Sequence, residues 1–160
     1  MSEETKLSKP YIRDASREDC IALSKNLRPA DLEEISHASG LLPEQVLLLG
    51  YRTSVRTWAV MWKKEVVAIF GIGDIPGVIG YPWMLASPSL VKIRKSLLRG
   101  CASVLGEMLS MFPHLENQVW AGNALHIQWL QWLGFTLEPA KPNDISGQPF
   151  HRFYMKDKNV

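Results

Sequence analysis

The stretch Asn123-Ala124-Leu125-His126-Ile127-Gln128-Trp129-Leu130-Gln131-Trp132-Leu133-Gly134-Phe135 reads as one helix with both ends marked. Asn123 is a residue type that caps helix N-termini, and Gly134 is the type that stops a helix in the left-handed conformation. With Leu125 set at zero on a helical projection, His126 falls at about 100°, between Leu133 at about 80° and Leu130 at about 140°. Gln128 and Gln131 take the opposite, polar side. His126 therefore points inward, toward either a core or a cleft. Leu125, Trp129, Trp132 and Leu133 form an apolar stripe, predicted to be core. Gln118-Val119-Trp120 before the helix and Phe135-Thr136-Leu137 after it are β-rich and predict flanking strands.

Working outward, Ser87-Pro88-Ser89 opens the longest helix, with Leu90, Ile93, Leu97, Cys101, Val104, Leu105, Met108 and Phe112 at helical spacing and Pro113 as its end. Upstream, Val55 to Trp62, a polar turn at Lys63-Lys64-Glu65 and Val66 to Ile72 predict a hairpin. A glycine- and proline-rich loop, Gly73 to Gly80, leads to a strand at Tyr81-Pro82-Trp83-Met84-Leu85-Ala86, where Pro82 implies an edge or a bulge. Three helices precede the hairpin. Ser16 with Asp19 marks a capping box for a helix to about Leu27. Pro29 starts the second, which Gly40 stops, and Pro43 starts the third. Tyr11-Ile12-Arg13 is a strand before them, and Pro149 to Met155 is the last strand. The order predicts mixed α/β with a partly antiparallel sheet in one domain over residues 1–160, with 1–9 and 156–160 frayed.

The chain of 160 residues is 46% hydrophobic and 21% charged, which excludes a disordered composition. Eighteen basic and 16 acidic residues leave a net charge of +2, too small for a dedicated nucleic-acid or membrane-surface binder. Cys20 and Cys101 lack metal-ligand spacing and are expected to be free thiols. A polar start and the lack of a long apolar window predict a cytoplasmic protein without a membrane span. Six tryptophans are an excess of the rarest side chain, and some of this aromatic surface is a candidate protein interface.

The element order resembles the GNAT fold, that of the GCN-related N-acetyltransferases, over nearly the whole chain. Two motifs carry the likeness. Ile12-Arg13-Asp14-Ala15-Ser16-Arg17-Glu18-Asp19 resembles the family's opening strand and helix. Asn123 to Phe135 matches its asparagine after the fifth strand, its isoleucine four residues later and its Leu-Gly-Phe ending. Val119-Trp120-Ala121-Gly122-Asn123 with His126-Ile127, Pro82 to Ala86, and Gly147-Gln148-Pro149-Phe150-His151-Arg152-Phe153 further resemble a phage branch of this fold, that of the internal virion proteins of short-tailed coliphages. The resemblance implies a mostly antiparallel sheet of about six to seven strands, splayed between the fourth and fifth and flanked by helices. It implies acetyl-CoA or CoA as cofactor and an amine-bearing protein or small molecule as acceptor. The phage branch implies virion proteins as partners, in a non-catalytic morphogenesis or host-interaction role. The chain departs from the pattern twice. The Arg/Gln-x-x-Gly-x-Gly/Ala turn that lets backbone N–H groups approach a pyrophosphate is replaced by Ser89 to Leu97, which holds no glycine. The tyrosine found in many members seven residues after Asn123 is Leu130.

Each candidate residue has a plain reading beside its functional one. His126 is a core histidine or a group facing the cleft. Asn123 caps its helix or meets the cofactor. Lys92, Arg94 and Lys95 form a solvated basic face or pair with phosphates where they otherwise oppose the helix dipole. Glu33, Glu34 and His37 lie on the second helix, which borders the acceptor in this fold. Glu33 and His37, four apart, make a surface ion pair, or Glu34 and His37 act on the acceptor. Asp74 caps a loop, or serves as the acid of the cleft if its strand ends there. Ala86, closing the Pro82 strand, is placed on the cofactor side by the resemblance.

Overall fold

The computed structural model describes residues 9–75 and 78–157. The expected fraying over 1–9 and 156–160 falls mostly on residues 1–8 and 158–160, outside the described ones, and Lys156 closes a strand. In chain order the elements are β1 (Tyr11–Asp14), α1 (Arg17–Ser24), α2 (Pro29–Ala38), α3 (Pro43–Thr53), β2 (Arg56–Trp62), β3 (Glu65–Ile75), β4 (Ile79–Ala86), a 3₁₀ turn (Pro88–Ile93), α4 (Arg94–Met111), β5 (His114–Trp120), α5 (Ala124–Leu133), β6 (Thr136–Leu137), β7 (Lys141–Pro142) and β8 (Pro149–Lys156). The strands form one eight-stranded sheet in the order β1-β2-β3-β4-β5-β8-β6, with β7 also on β8. Every pairing is antiparallel except β4 with β5.

Alternation along the strands divides the core in two. Trp58, Val60, Phe70 and Ile72 face α4 and α5, while Ala59, Met61 and Ile69 face α1, α2 and α3. Val60 opposes Ala68 but Met61 opposes Val66, so Val67 is an extra residue, a β-bulge. Lys63 and Lys64 turn the hairpin with φ of 50° and 62°, the left-handed pair that a tight two-residue turn requires. Ser16 and Asp19 form the expected reciprocal capping box.

Several boundaries differ from expectation for local reasons. The first helix stops at Ser24, earlier than expected, and Arg28 before Pro29 is extended, with ψ of 144°. The Gly-rich segment is mostly strand: β3 runs through Asp74 to Ile75, and β4 starts at Ile79. The sheet gains β7 inside the polar proline-rich loop. The long helix begins as the 3₁₀ turn and becomes α-helical only at Arg94. Trp132 is 61% exposed and is not core. The buried arc of α5 is centred on His126, Trp129 and Leu130, and Trp132 sits about 60° outside it, beside Leu125. Among the described residues no helix is long and apolar enough to cross a membrane.

Candidate active site

The sheet opens at Pro82. Strands β4 and β5 pair only at Ile79–His114 and Gly80–Leu115. The Pro82 carbonyl faces β5, where it accepts from Asn117 Nδ2 at 2.9 Å. The N–H that proline lacks would have faced the same way, so the ladder ends there and a side-chain amide takes its place.

Beyond Pro82, the first turns of α2 reach across the gap. Asp31 Oδ2 accepts the Ala86 N–H at 3.0 Å, and the Arg28 N–H donates to the Ala86 carbonyl at 2.8 Å. One turn on, Glu34 Oε1 accepts the Trp120 N–H at 2.7 Å. Carboxylates three residues apart on one helix face thus hold both edges of the opening. Between them the backbone of Met84 faces the gap by strand alternation, and no described side chain bonds to it.

Behind this edge lies a buried polar cluster. Asp31 Oδ1 accepts from Arg28 Nη1 at 3.3 Å and from Asn123 Nδ2 at 3.1 Å, and Arg28 Nη2 donates to Asn123 Oδ1 at 3.4 Å. His126, Asp31 and Glu34 bring ligand-type atoms within 4.8 Å of one another. Among the described residues His126 Nδ1 is buried without a hydrogen-bond partner. Burial pushes His126 down to about 4, against the pull of Asp31 and with the help of Arg28, so the imidazole is neutral at pH 7. Burial pushes Glu34 up to about 7 despite the Trp120 N–H, with Asp31 adding to the rise. A carboxyl that titrates near neutrality is the outcome.

Two cavities meet at this cluster. One, of about 60 Å³, lies between α4 and α5 and is apolar apart from His126. The other, of about 420 Å³, lies on the α2 and α3 side and contains Glu34. Pro82, Trp83, Met84, His126 and Phe153 line both.

The structure gathers some of the residues expected from sequence and scatters others. Glu34 and His126 converge, and His37 packs its ring 4.9 Å from that of Trp120. Glu33 is exposed and makes no ion pair with His37 among the described residues, because the helix turns His37 toward β5. Asn123 stands at the N-cap position, but its side chain makes no cap bond and turns to Asp31 and Arg28 instead. Ala86 has both backbone groups occupied by α2. Asp74 pairs with Gly80, at the closed end of β4. The opening starts two residues on, at Pro82, and widens toward Ala86, six residues of strand or roughly 20 Å from Gly80. β3 thus ends at the closed end of the opening, and the structure does not bring Asp74 to Glu34 and His126. Lys92, Arg94 and Lys95 are exposed at the start of α4 and make no ion pair among the described residues. Cys20 and Cys101 are free, and burial pushes their thiols up to about 11 and about 12, which leaves neither as a nucleophile. Arg28 and Asp31 were not singled out by sequence. An acidic residue in a first helical turn is ordinary, and its burial is set by β4 and Asn123, far away in the chain.

No protein-family model matches the chain, and no curated protein sequence does. Solved structures do. A spermidine N-acetyltransferase SpeG chimera from Vibrio cholerae and hSSAT is 16% identical, covers 93% of this chain and 96% of its own, and has a TM-score of 0.66. The protein yncA from Salmonella typhimurium, solved with its cofactor acetyl-CoA, is 14% identical over 94% of this chain and 95% of its own, with a TM-score of 0.68. A GNAT-family acetyltransferase from Bacillus anthracis is 8% identical over 93% and 95%, with a TM-score of 0.67. This chain has the GNAT fold.

In a GNAT fold the opening between β4 and β5 is the place the resemblance gives to an acyl-coenzyme A. The residues here fit such a group in kind. The slot between α4 and α5 is apolar, the Met84 backbone is uncommitted, and His126 Nδ1 is an orphaned polar atom at their junction. The slot is narrow, but Met84 and Met108 in its wall are unbranched side chains that re-pack readily. The missing glycine turn is real: the 3₁₀ turn Pro88–Ile93 stands in its place, with Lys92 in it and Arg94 and Lys95 just after it.

Proposed function

We propose that residues 1–160 act as one GNAT-like domain in the cytoplasm, transferring an acyl group from acetyl-CoA to an amine. The observation that carries this reading is Glu34, a carboxyl held near pH 7 where two cavities meet at the opened sheet. One neighbour in fold named spermidine N-acetyltransferase and another, yncA, solved with acetyl-CoA support it. Lys92, Arg94 and Lys95 would hold the phosphates, and the gap-facing backbone of Met84 and the apolar slot would hold the arm. Coenzyme A, when bound, supplies an acyl group activated as a thioester.

The chain's own residues then divide the work. Glu34 takes the proton of the amine, with a pKa matched to neutral pH so that it is both available and basic. His126, neutral, holds a hydrogen at Nδ1 for the developing negative charge on the acyl oxygen or the departing sulfur. Leu130, buried in the slot, has no proton to give, so His126 is the donor on that side. His37, against Trp120, is a positioning residue for the N–H that fixes Glu34. Asn123 acts through Asp31 and Arg28.

Amine-dependent release of free thiol from acetyl-CoA tests this directly. Glu34→Gln is expected to lower kcat by about 10²-fold or more with binding of acetyl-CoA retained. In the parent protein the rate should climb through pH 7 as Glu34 loses its proton. A variant as fast as the parent overturns the assignment of Glu34.

A second reading is a phage virion morphogenesis or host-interaction protein that keeps the fold without turnover. The glycine-free turn, Leu130 and the narrow slot favour the absence of turnover, and the exposed Trp132 offers a contact surface. It expects no amine-dependent thiol release at any pH.

A further inference from the structure

We infer that the acceptor is a small amine with a single positive charge and an apolar body, seated in the cavity between α2, α3 and the opened strands. This rests on the acyl-transfer reading above and adds the class of molecule that the site selects.

The cavity measures about 420 Å³, inside the roughly 300–1,000 Å³ range of small-molecule sites. Ile35, Val46, Leu49, Met84, Leu85 and Phe150 give it an apolar wall. Trp83 adds a rigid one. Its Nε1 donates to Ser54 Oγ at 2.8 Å, and its ring lies so close over Gly50 and Gly71 that a Cβ at either would come within 2.9 and 2.6 Å. Among the described residues lining the cavity, Glu34 is the one that carries charge.

His126 Nδ1 aside, most of the other polar groups there are already engaged. Asn117 gives its amide to Pro82 and accepts from Gln118 N–H, Thr53 Oγ1 donates to Leu49, Ser39 Oγ donates to Ile35, and Asn143 Oδ1 accepts from Ile145 and Ser146. A second ammonium, as in a polyamine, would find no counter-charge on this lining. A carboxylate on the acceptor would meet Glu34 and no cation. A peptide would bring backbone amides into a wall with few free partners. One ammonium beside Glu34 and a hydrocarbon or aromatic body against Trp83 match the single charge and the apolar wall of the cavity.

In the transfer, the amine nitrogen bonds to the acyl carbon of the thioester as the carbon–sulfur bond breaks. Of the two protons that the ammonium loses, one goes to the Glu34 carboxylate before attack and the other to the departing sulfur, and an amide and a free thiol leave.

Calorimetric titration of the full chain at pH 8 compares n-hexylamine and 2-phenylethylamine with spermidine, n-hexanol, hexanoate and an alanine tripeptide. The two monoamines should bind at least about tenfold more tightly than each of the others. Spermidine or the tripeptide binding as well as the monoamines overturns the inference, as does no monoamine binding at millimolar concentration. Leu49→Glu provides an independent arm: Leu49 lines the cavity and is 41% exposed, so the change is borne by the fold. It should improve 1,6-diaminohexane relative to n-hexylamine by about tenfold, and an unchanged ratio counts against the inference. Thiol release run in parallel separates the two levels. Monoamines that bind without any acyl transfer defeat the transferase reading and leave the amine site standing. Transfer to spermidine but not to monoamines defeats the amine class and leaves the transferase.

Discussion

Glu34, half-buried, and His126, buried, share one corner and are shifted in opposite senses. A carboxyl raised from 4.5 to about 7 keeps its proton in the folded chain after the unfolded chain has lost it, so its contribution weakens folding as pH rises across that window. An imidazole lowered from 6.5 to about 4 has the reverse effect, and stability is lost as pH falls from 6.5. Each effect is on the order of 3 kcal/mol, so between about pH 4.5 and 6.5 they largely offset each other. Glu34→Gln removes one of them. Urea unfolding of that variant should show stability climbing from pH 4.5 to 6.5 by on the order of 2–3 kcal/mol more than in the parent. Parallel pH curves would contradict the burial of this pair. The inward direction of His126 was readable from its angle among Leu130 and Leu133. The burial that keeps it neutral was not, since the polar groups packed beside it, Arg28 and Asp31, come from a helix some ninety residues earlier. Asn123 misled for the same reason: cap chemistry is local, and a buried carboxylate competed for its amide.

At the scale of elements, α2 and β4 explain the opening between them. Pro82 was legible as an edge or bulge because proline cannot donate, and the structure adds that its carbonyl faces β5. The start of α2 at Pro29 was legible too, but not that its first turns would satisfy the strand ends. Asp31 ties Ala86, Arg28 and Asn123 together, so Asp31→Ala should cost about 3–5 kcal/mol by leaving Arg28 buried and unpaired. Asp31→Asn should cost less, because it keeps an acceptor for the Ala86 N–H. Equal losses in denaturant melts would argue against this role. On β3, Gly71→Ala places a methyl within 2.6 Å of the Trp83 indole, which Ser54 pins in place. A loss of about 1–3 kcal/mol is expected, and a neutral substitution would show that the wall is soft.

For the whole molecule, a mostly antiparallel sheet with one short parallel pairing puts both cavities at a single opening, and the GNAT fold follows from that order. The element sequence made this fold readable because each helix and hairpin carried its own start and stop. Lys141-Pro142 escaped notice, since a two-residue strand holding a proline has no periodicity to detect. Six tryptophans fall into distinct places: Trp83 and Trp120 flank the opening, Trp58 and Trp129 fill the core, Trp62 packs at its border, and Trp132 is left on the surface. The central claim is that Glu34 at this opening is the base of an acyl transfer to an apolar amine. Thiol release from acetyl-CoA with 2-phenylethylamine, followed against pH for the parent and for Glu34→Gln, tests it most directly. Amine-dependent release should climb through pH 7 in the parent and fall by about 10²-fold or more in the variant. No amine-dependent release, or the same rate and pH profile in both proteins, would contradict it.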